Sequence, residues 1–381
     1  MPQQLKTDKI LFGAVLVMLS FGVLILYSAS SWMAKVDQRY GSSWHFVIRQ
    51  LGWAAVSIGA MMLLKSTPYR KFQNRAVAFT TLGVTFLLLV AVYFIDTEHH
   101  RWLRIGPGGF QPSELAKPVL VIFLAFFVAW RGRAINNTRY TLMPAAISLG
   151  LLISGVAMAD LGTPVILGAA VLTVFFVAGM KWKYCLVVAG VGLIGVAVFI
   201  WEPYRLRRVV SFVDPQFKYI PLVDPHHLIR DRMNQTLRTR DTNYQLEQSE
   251  IALGAGGATG VGLMNGRQKL LYLPFAHTDF IYAVVGEETG MVGAVGVLLG
   301  FLAIAWRGLR TAYRMGDDFG RYLALGATMV VVVQALMNIS VVLGMVPTKG
   351  VTLPMMSYGG SSLLSTLALL GMLMNVSEHA G

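Results

Sequence analysis

The sequence has little charge, few acids and almost no cysteine. Only 13% of its 381 residues are charged, against about 25% in ordinary soluble domains, which argues against a soluble fold. The single cysteine, Cys185, lies in an apolar stretch, so an intrachain disulfide framework, a cysteine-based zinc site and thiol redox chemistry are excluded. Acids number 19 against 32 Lys and Arg, but most cations stand in short loops between apolar runs. That pattern indicates membrane topology, and no nucleic-acid partner is expected.

Apolar residues are abundant, at 55% of the chain. They form ten windows of about the 20 residues that a helix needs to cross a bilayer. The windows are 10–29, 46–64, 76–95, 113–130, 142–159, 161–180, 184–201, 279–306, 320–344 and 359–377. The sequence therefore predicts an all-α polytopic membrane protein of about ten transmembrane helices, in a single membrane domain that covers residues 1–381.

The loop cations predict how the chain is oriented. They cluster in every second loop, and the opposite short loops are poorer in Lys and Arg, as the positive-inside rule requires. The basic loops are Lys65 to Arg75, Arg131 to Arg139, Lys181 to Lys183, and Arg307 to Arg321. These loops and both termini are then cytoplasmic, and residues 202–278 form one large extracytoplasmic loop between the seventh and eighth helices.

The first window also allows another interpretation. It follows Lys6 and Lys9 and ends in small residues at 28–30, a pattern that resembles a secretory signal with its cleavage site. The window is too long for a typical signal core, and the later segments need it to keep their orientation. A retained membrane anchor is therefore favoured.

The large loop combines basic charge with glycine. A long translocated loop escapes the charge rule, so its arginines indicate contacts to anionic lipid headgroups or a pyrophosphate, unless they only solvate the loop. The glycine-rich stretch 251–263 matches neither nucleotide-binding motif, because no strand precedes it and the spacing differs. A re-entrant or interfacial segment fits it better. The loop arginines are Arg205, Arg207, Arg208, Arg230, Arg232, Arg238 and Arg240.

Asp279 stands where this loop enters the eighth window, after His277 and Thr278. It can serve as an ordinary helix cap that satisfies the first free N–H groups. A carboxylate beside the apolar Phe275 and Phe280 can also have its pKa raised enough to act as a base. The local sequence leaves both roles open.

Other ionisable residues lie at membrane depth, where they are costly and commonly functional. Lys117, about one turn into the fourth window, needs a partner, and Asp160 at a similar outer depth is predicted to supply it, in a pair that is either structural or functional. Glu114 is expected to be the acid of the cap that opens this window. Glu287 and Glu288 lie about 12 Å below Asp279 and diverge by about 100° around the helix, so at most one shares its cavity and both are expected to pair with other helices.

Lys349 stands between two prolines, just before the glycine-rich start of the tenth window at 357–362. A cation beside exposed backbone N–H groups suits an anionic ligand. The small residues also suit close helix packing, which is the simpler explanation.

Several of these motifs occur in an order that resembles a known family. They are His100-Arg101-Trp102-Leu103, Phe110 to Lys117, Asp160 to Thr163, Tyr244-Gln245, Gln248-Ser249, His277 to Phe280 with Glu287-Glu288, and Ser357 to Ser361. Together, over nearly the whole chain, they resemble the SEDS family (shape, elongation, division and sporulation) of membrane peptidoglycan glycosyltransferases. The run Pro347-Thr348-Lys349-Gly350 resembles the cell-division members, whereas the elongation members usually lack the Thr-Lys pair.

The resemblance implies a reaction. Its substrate is lipid II, which is joined into β-1,4-linked glycan with release of undecaprenyl pyrophosphate. The essential aspartate of the family maps onto Asp279, which would be the general base. The implied partners are a class B penicillin-binding protein and other division proteins, at the septum of the bacterial inner membrane. A lipid II flippase, an elongation polymerase and a non-catalytic scaffold are the alternatives.

The resemblance also assigns roles to further residues. The pyrophosphate and substrate candidates are Arg49, Arg101, Trp102, Arg207, Arg208 and Lys349; the ion pair is Lys117 with Asp160; secondary candidates are Glu114, His277, Glu287 and Ser357. A divalent cation, Mg²⁺ or Mn²⁺, is a candidate cofactor for which the sequence names no ligand set. Two departures stand out: the segment before His277 lacks the acids common in the family, and 215–243 is longer than usual.

Overall fold

The computed structural model describes residues 7–37, 42–96, 101–105, 108–160, 162–214, 224 and 242–380. The long segment 215–243, with Arg230, Arg232, Arg238 and Arg240, lies almost wholly outside these residues, as does His100.

The regular secondary structure of the described residues is helical apart from one short hairpin. Its helices are α1 (Lys9–Val36), α2 (His45–Ser66), α3 (Arg75–Ile95), α4 (Pro112–Arg131), α5 (Met143–Ala159), α6 (Gly162–Val177), α7 (Trp182–Ile200), α8 (Pro203–Val213), α9 (Thr242–Gly256), α10 (Ile281–Arg314), α11 (Asp318–Val342) and α12 (Gly360–Ser377). Strands β1 (Leu103–Ile105) and β2 (Gly108–Phe110) pair antiparallel between α3 and α4.

Ten of these helices coincide with the ten apolar windows. Within the described residues, nine spans have the length and apolar composition to cross a membrane, and the span Thr138–Ala159 that contains α5 is one of them. The tenth, α6, is apolar but shorter. Helices α8 and α9 belong to the predicted loop 202–278. The prediction of an all-α polytopic membrane protein with about ten spans is confirmed.

Three helices form the centre of the bundle. The most apolar stretches of α4 and α12 are each 83% buried and that of α11 is 72% buried, whereas α7 is only 6% buried. Around this centre, α2 packs on α12, α3 on α4, α6 on α11, and α10 on α11 with α1 outside it. Polar groups on α4, α11 and α12 are therefore enclosed by protein and not by lipid, which is where such groups are tolerated.

The glycine-rich segment packs against a break in α10. Gly290 interrupts α10 with a φ of 64°, and the backbone of residues 257–262 bonds to this break: Val261 N donates to Glu287 O at 3.0 Å, and Met291 N donates to Gly257 O at 2.9 Å. A Cβ at Gly260 would lie 2.2 Å from the carbonyl oxygen of Glu288, so only glycine fits. This contact fixes the start of the segment that leads to Asp279.

Candidate active site

Asp279 lies just before α10, and its backbone is held on both sides. The carbonyls of three consecutive residues each accept a hydrogen bond: His277 O from Tyr358 N at 3.0 Å, Thr278 O from Ser357 Oγ at 2.5 Å, and Asp279 O from Asn338 Nδ2 at 2.7 Å. The donors come from α11 and from the segment before α12. The position of the Asp279 main chain is therefore set by two other parts of the bundle.

The Asp279 carboxylate is not used structurally. Phe280 is the N-cap of α10 and has no side-chain capping bond, so the helix-cap role considered for Asp279 is wrong. Within the described residues its carboxylate forms no hydrogen bond or ion pair. A Cβ at Gly350 would lie 3.1 Å from Asp279 Oδ2, so the glycine leaves room beside this oxygen. An unengaged carboxylate on a fixed backbone is suited to accept a proton from a ligand.

The surroundings raise the pKa of Asp279. The side chain is half-buried, and its pKa is raised from 3.8 to about 6, mainly by loss of hydration. The negative charge of Asp160 contributes to this rise, while the cations Arg101 and Arg208 oppose it. The group is thus a stronger base than an ordinary aspartate, yet mostly ionised at neutral pH.

Asp160 is fixed next to this charge. Its oxygens accept hydrogen bonds from Gly162 N at 2.9 Å and from Thr163 Oγ1 at 2.8 Å at the start of α6, and Oδ1 lies 3.5 Å from an Arg101 nitrogen. Arg101 Nε also donates to Ala159 O at 2.6 Å. Asp160 therefore holds Arg101 near the site while it caps α6.

The predicted Lys117–Asp160 ion pair is wrong. The Lys117 ammonium, on a side chain that is 1% exposed, lies 2.7 Å from Glu114 Oε2 and 2.8 Å from Gln334 Oε1. Glu114 precedes Lys117 by one turn on the same face of α4, so it reaches the ammonium without another helix, and it also accepts from Ser365 Oγ at 2.9 Å. Glu114 is thus the ion-pair partner of Lys117, and it is also the acid in the first turn of α4, as expected, although the N-cap Gln111 has no side-chain capping bond.

A chain of hydrogen bonds connects the Lys117–Glu114 pair to the segment after α11. Gln334 Nε2 donates to Thr352 O at 2.9 Å, and the Thr352 hydroxyl lies 2.8 Å from Ser362 Oγ. These bonds connect α4, α11, α12 and the residues near Lys349. The buried charge therefore braces the loop that borders Asp279.

His277 and Ser357, both secondary candidates, support the backbone around Asp279. The His277 ring is buried between Phe46, with centroids 4.9 Å apart, and Tyr358, at 6.0 Å. Burial lowers the pKa of His277 to about 4, so the ring is neutral at physiological pH. Ser357 Oγ donates to Thr278 O and accepts from Leu353 N at 2.8 Å. Both side chains position the segment around Asp279.

The predicted cations are brought together only in part. Arg208 on α8 places a guanidinium nitrogen 3.5 Å from Thr348 O, next to Lys349. Burial lowers the pKa of Lys349, and the nearby charge of Asp160 opposes this. Arg101, Arg208 and Lys349 therefore share the electrostatic field of Asp160 and Asp279.

The other ligand candidates are Arg49, Arg207 and Trp102. Arg49 is exposed on α2 and forms no ion pair within the described residues, and Arg207 is half-buried on α8. Trp102 is 40% exposed, and its ring stacks closely on Gly109 of β2. An exposed aromatic face of this kind suits contact with a sugar or lipid.

The two glutamates of α10 bind the glycine-rich segment. Glu287 accepts from Arg267 N at 2.7 Å, and Glu288 pairs with Lys269 and accepts from Ser28 Oγ of α1 at 2.6 Å. Both are nearly fully buried. Pairing with other helices was expected, and only Glu288 reaches one, at Ser28 of α1, whereas Glu287 and the ion pair with Lys269 hold the segment between α9 and α10.

Three carboxamides were missed by a search limited to ionisable residues. Gln50 of α2 bonds to Ser357 O and to Gly359 N, both at 3.2 Å, while Asn338 Nδ2 holds Asp279 O and also Val351 O at 2.7 Å. Gln334 Oε1 accepts a hydrogen bond from the Lys117 ammonium. All three stand inside apolar windows, where an unpaired amide is costly, and this cost is the signal that could have identified them.

The described residues offer no cluster of ligand side chains for the candidate divalent cation. Within the described residues, no group of three or more His, Cys, Asp or Glu side chains is placed to hold a metal ion. A cation bound here would take most of its ligands from phosphate oxygens of a substrate.

Comparisons with known proteins agree over almost the whole chain. The model of the FtsW/RodA/SpoVE family, described as cell cycle proteins, matches residues 8–381. The probable peptidoglycan glycosyltransferase FtsW of Geobacter sp. (strain M18) is 36% identical over 98% of this chain and 97% of its own. Stage V sporulation protein E of Bacillus subtilis (strain 168) is 32% identical over the same shares of both chains.

Solved structures share the fold. A chain from "Structural coordination of polymerization and crosslinking by a peptidoglycan synthase complex" superposes with a TM-score of 0.74, 27% identity and 98% coverage of both chains. The rod shape determining protein RodA of Thermus thermophilus has a TM-score of 0.66 at 24% identity, covering 99% of this chain and 98% of its own, which supports the fold. The chain therefore belongs to the FtsW/RodA/SpoVE family, the SEDS family of membrane peptidoglycan glycosyltransferases.

Proposed function

We propose that this FtsW-like protein polymerises lipid II into glycan strands, with Asp279 as the general base. The observation that carries the proposal is an unengaged carboxylate with a raised pKa, on a backbone fixed by three hydrogen bonds and surrounded by cations. Family membership supports the proposed substrate class, and the geometry supports the proposed role of Asp279.

In the proposed step, a hydroxyl of the acceptor sugar attacks the anomeric carbon of the donor. Asp279 takes the hydroxyl proton as the new carbon–oxygen bond forms, and the bond to the lipid pyrophosphate breaks with inversion. The leaving group gains negative charge, which Arg101, Arg208 and Lys349 would stabilise, and their shared electrostatic field with Asp160 and Asp279 supports this role. Arg49, Arg207 and Trp102 would contact other parts of the lipid substrates.

We further propose the setting of this reaction. The end of the bundle with Asp279 would face the periplasm, at the division septum. A class B penicillin-binding protein would supply the crosslinking activity, since a structural relative is part of a complex for polymerisation and crosslinking. Resemblance of the segment around Lys349 to division members favours septal synthesis over elongation.

The deciding experiment is polymerisation of labelled lipid II by the purified protein with its penicillin-binding partner. Asp279→Ala and Asp279→Asn should lower the rate by about 10²- to 10⁴-fold, the range for loss of a general base. Asp318→Asn removes an exposed acid at the other end of the bundle and should leave the rate unchanged. Normal polymerisation by both Asp279 variants would refute the proposal, and lipid II flipping in sealed vesicles that survives Asp279→Ala would favour a transporter.

A further inference from the structure

A second cationic site lies at the end of the bundle opposite Asp279. There the start of α3 meets the end of α4, and two guanidinium groups approach one indole ring: Arg131 Cζ is 4.0 Å and Arg75 Cζ is 5.3 Å from the centroid of Trp130. The two Cζ atoms can be no farther apart than the sum of these two distances. That sum is comparable to the Debye length, which is about 8 Å in physiological salt. The mutual repulsion of the two charges is therefore only partly screened.

The cluster is built on a packed aromatic base. Trp130 stacks on Phe126 one turn earlier, with centroids 6.0 Å apart, and Phe79 of α3 packs edge-on to Phe126 at 6.4 Å and lies under Arg75 at 5.9 Å. Phe126 is 8% exposed and fixes the lower edge of the cluster, whereas Trp130 is 47% exposed. The ring thus presents its two arginines at the surface, at the level where tryptophan belts meet lipid headgroups.

No acid among the described residues forms an ion pair with either arginine. The sequence has no Asp or Glu from Lys65 to Ile95 or from Arg131 to Ala159. The four acids at this end of the bundle are engaged elsewhere: Asp8 with Arg307, Asp317 with Tyr69, Asp318 with Arg321, and Glu378 with Lys65.

The hydrogen-bonding capacity of the cluster is also unused. Arg131 Nε is buried and has no hydrogen-bond partner among the described residues. Nε itself is enclosed, so this guanidinium lacks both hydration and an acceptor at that atom, and an acceptor oxygen for its accessible nitrogens is expected from outside the chain. The ligand must be anionic, must offer oxygen acceptors and must reach the membrane surface.

We propose that Arg75, Trp130 and Arg131 bind the phosphodiester headgroup of one anionic phospholipid. Its phosphate oxygens would accept from both guanidinium groups, and its acyl chains would lie along the exposed apolar surface of the first half of α3, which includes Phe79 and Val84. Such a lipid would join α3 to α4, one of the three central helices. This site is separate from the proposed catalytic site.

The test is native mass spectrometry of the full-length protein with phosphatidylglycerol, phosphatidylcholine and glycerophosphoglycerol, which is the same headgroup without acyl chains. The variant R75Q/R131Q should weaken phosphatidylglycerol binding by about 30-fold, from two contributions of about 1 kcal/mol each. The control R139Q/R314Q removes two exposed arginines at the same end and should change binding less than threefold. Phosphatidylcholine and glycerophosphoglycerol should bind much more weakly than phosphatidylglycerol.

Trp130→Leu keeps both charges but removes the shared ring, so it should also weaken phosphatidylglycerol binding. It tests the site even if the double variant does not fold. Unchanged binding in R75Q/R131Q or in Trp130→Leu, or equal losses in R75Q/R131Q and R139Q/R314Q, would overturn the site. Glycerophosphoglycerol binding as tight as that of phosphatidylglycerol would overturn its assignment to a lipid and indicate a soluble phosphodiester. None of these results depends on the polymerase activity.

Discussion

Replacing Asp279 with asparagine is expected to stabilise the folded protein even as it removes the proposed base. The folded-state pKa of Asp279 is about 6, against 3.8 for a solvated aspartate. Each unit of this difference corresponds to 1.36 kcal/mol, so ionised Asp279 costs on the order of 3 kcal/mol at neutral pH. Asparagine has nearly the same shape and carries no charge, so it avoids this cost.

The pH dependence follows from the sign of the shift. Because folding raises the pKa, the cost is fully present above pH 6 and disappears as the pH falls towards 4, where the carboxyl is protonated in both states. Buried His277, with its lowered pKa, destabilises both proteins in this same range, so variant and wild type must be compared at each pH. The stabilising effect of Asp279→Asn should therefore be large at pH 8 and small near pH 4.5.

The assay is thermal unfolding of the purified protein in detergent at these two pH values. Asp318→Asn is the control, because this exposed acid should change stability by less than about 0.5 kcal/mol. Equal or lower stability of Asp279→Asn at pH 8, or an advantage that does not shrink in acid, would contradict the electrostatic account of the site.

Three further substitutions test the supports of the site. Glu288→Gln leaves the Lys269 ammonium buried without its counter-charge and should cost about 3–5 kcal/mol in unfolding experiments, of which a second change, Lys269→Met, should restore a large part. Gly260→Ala should cost more than about 2 kcal/mol, whereas Gly254→Ala inside α9, where a Cβ meets nothing within 4 Å, should be neutral or stabilise by up to about 1 kcal/mol in the same unfolding assay. Asn338→Ala releases the carbonyl of Asp279 and should lower the kcat of polymerisation more than it changes KM, and a pure KM effect would contradict this role.

Hydropathy predicted the spans because the bilayer imposes one requirement on every window, a long apolar run. It was less accurate at helix ends, which depend on local backbone bonds. Window 10–29 extends as α1 to Val36, and window 161–180 ends as α6 at Val177, just before Gly179 adopts a φ of 90°. Neither end changes the apolar content enough to be visible in composition.

The ion pair of Lys117 shows a different limit. The depth of Lys117 correctly indicated that it needs a partner, but depth alone does not distinguish among acids at the same level. Glu114 lies one turn away on the same helix, whereas Asp160 must cap α6 and hold Arg101. A search along the helix for partners at i±3 and i±4 would have favoured Glu114.

The candidate base itself was predictable from sequence, but its fixed position was not. A motif shows that an acid stands at the start of a helix; it cannot show which groups bind the neighbouring carbonyls, since every residue has one. Here Tyr358 N, Ser357 Oγ and Asn338 Nδ2 bind the carbonyls of residues 277–279 and leave the Asp279 side chain unengaged. A base held through its backbone keeps its orientation without giving up its oxygens, and this is the arrangement that proton transfer to a carboxylate requires.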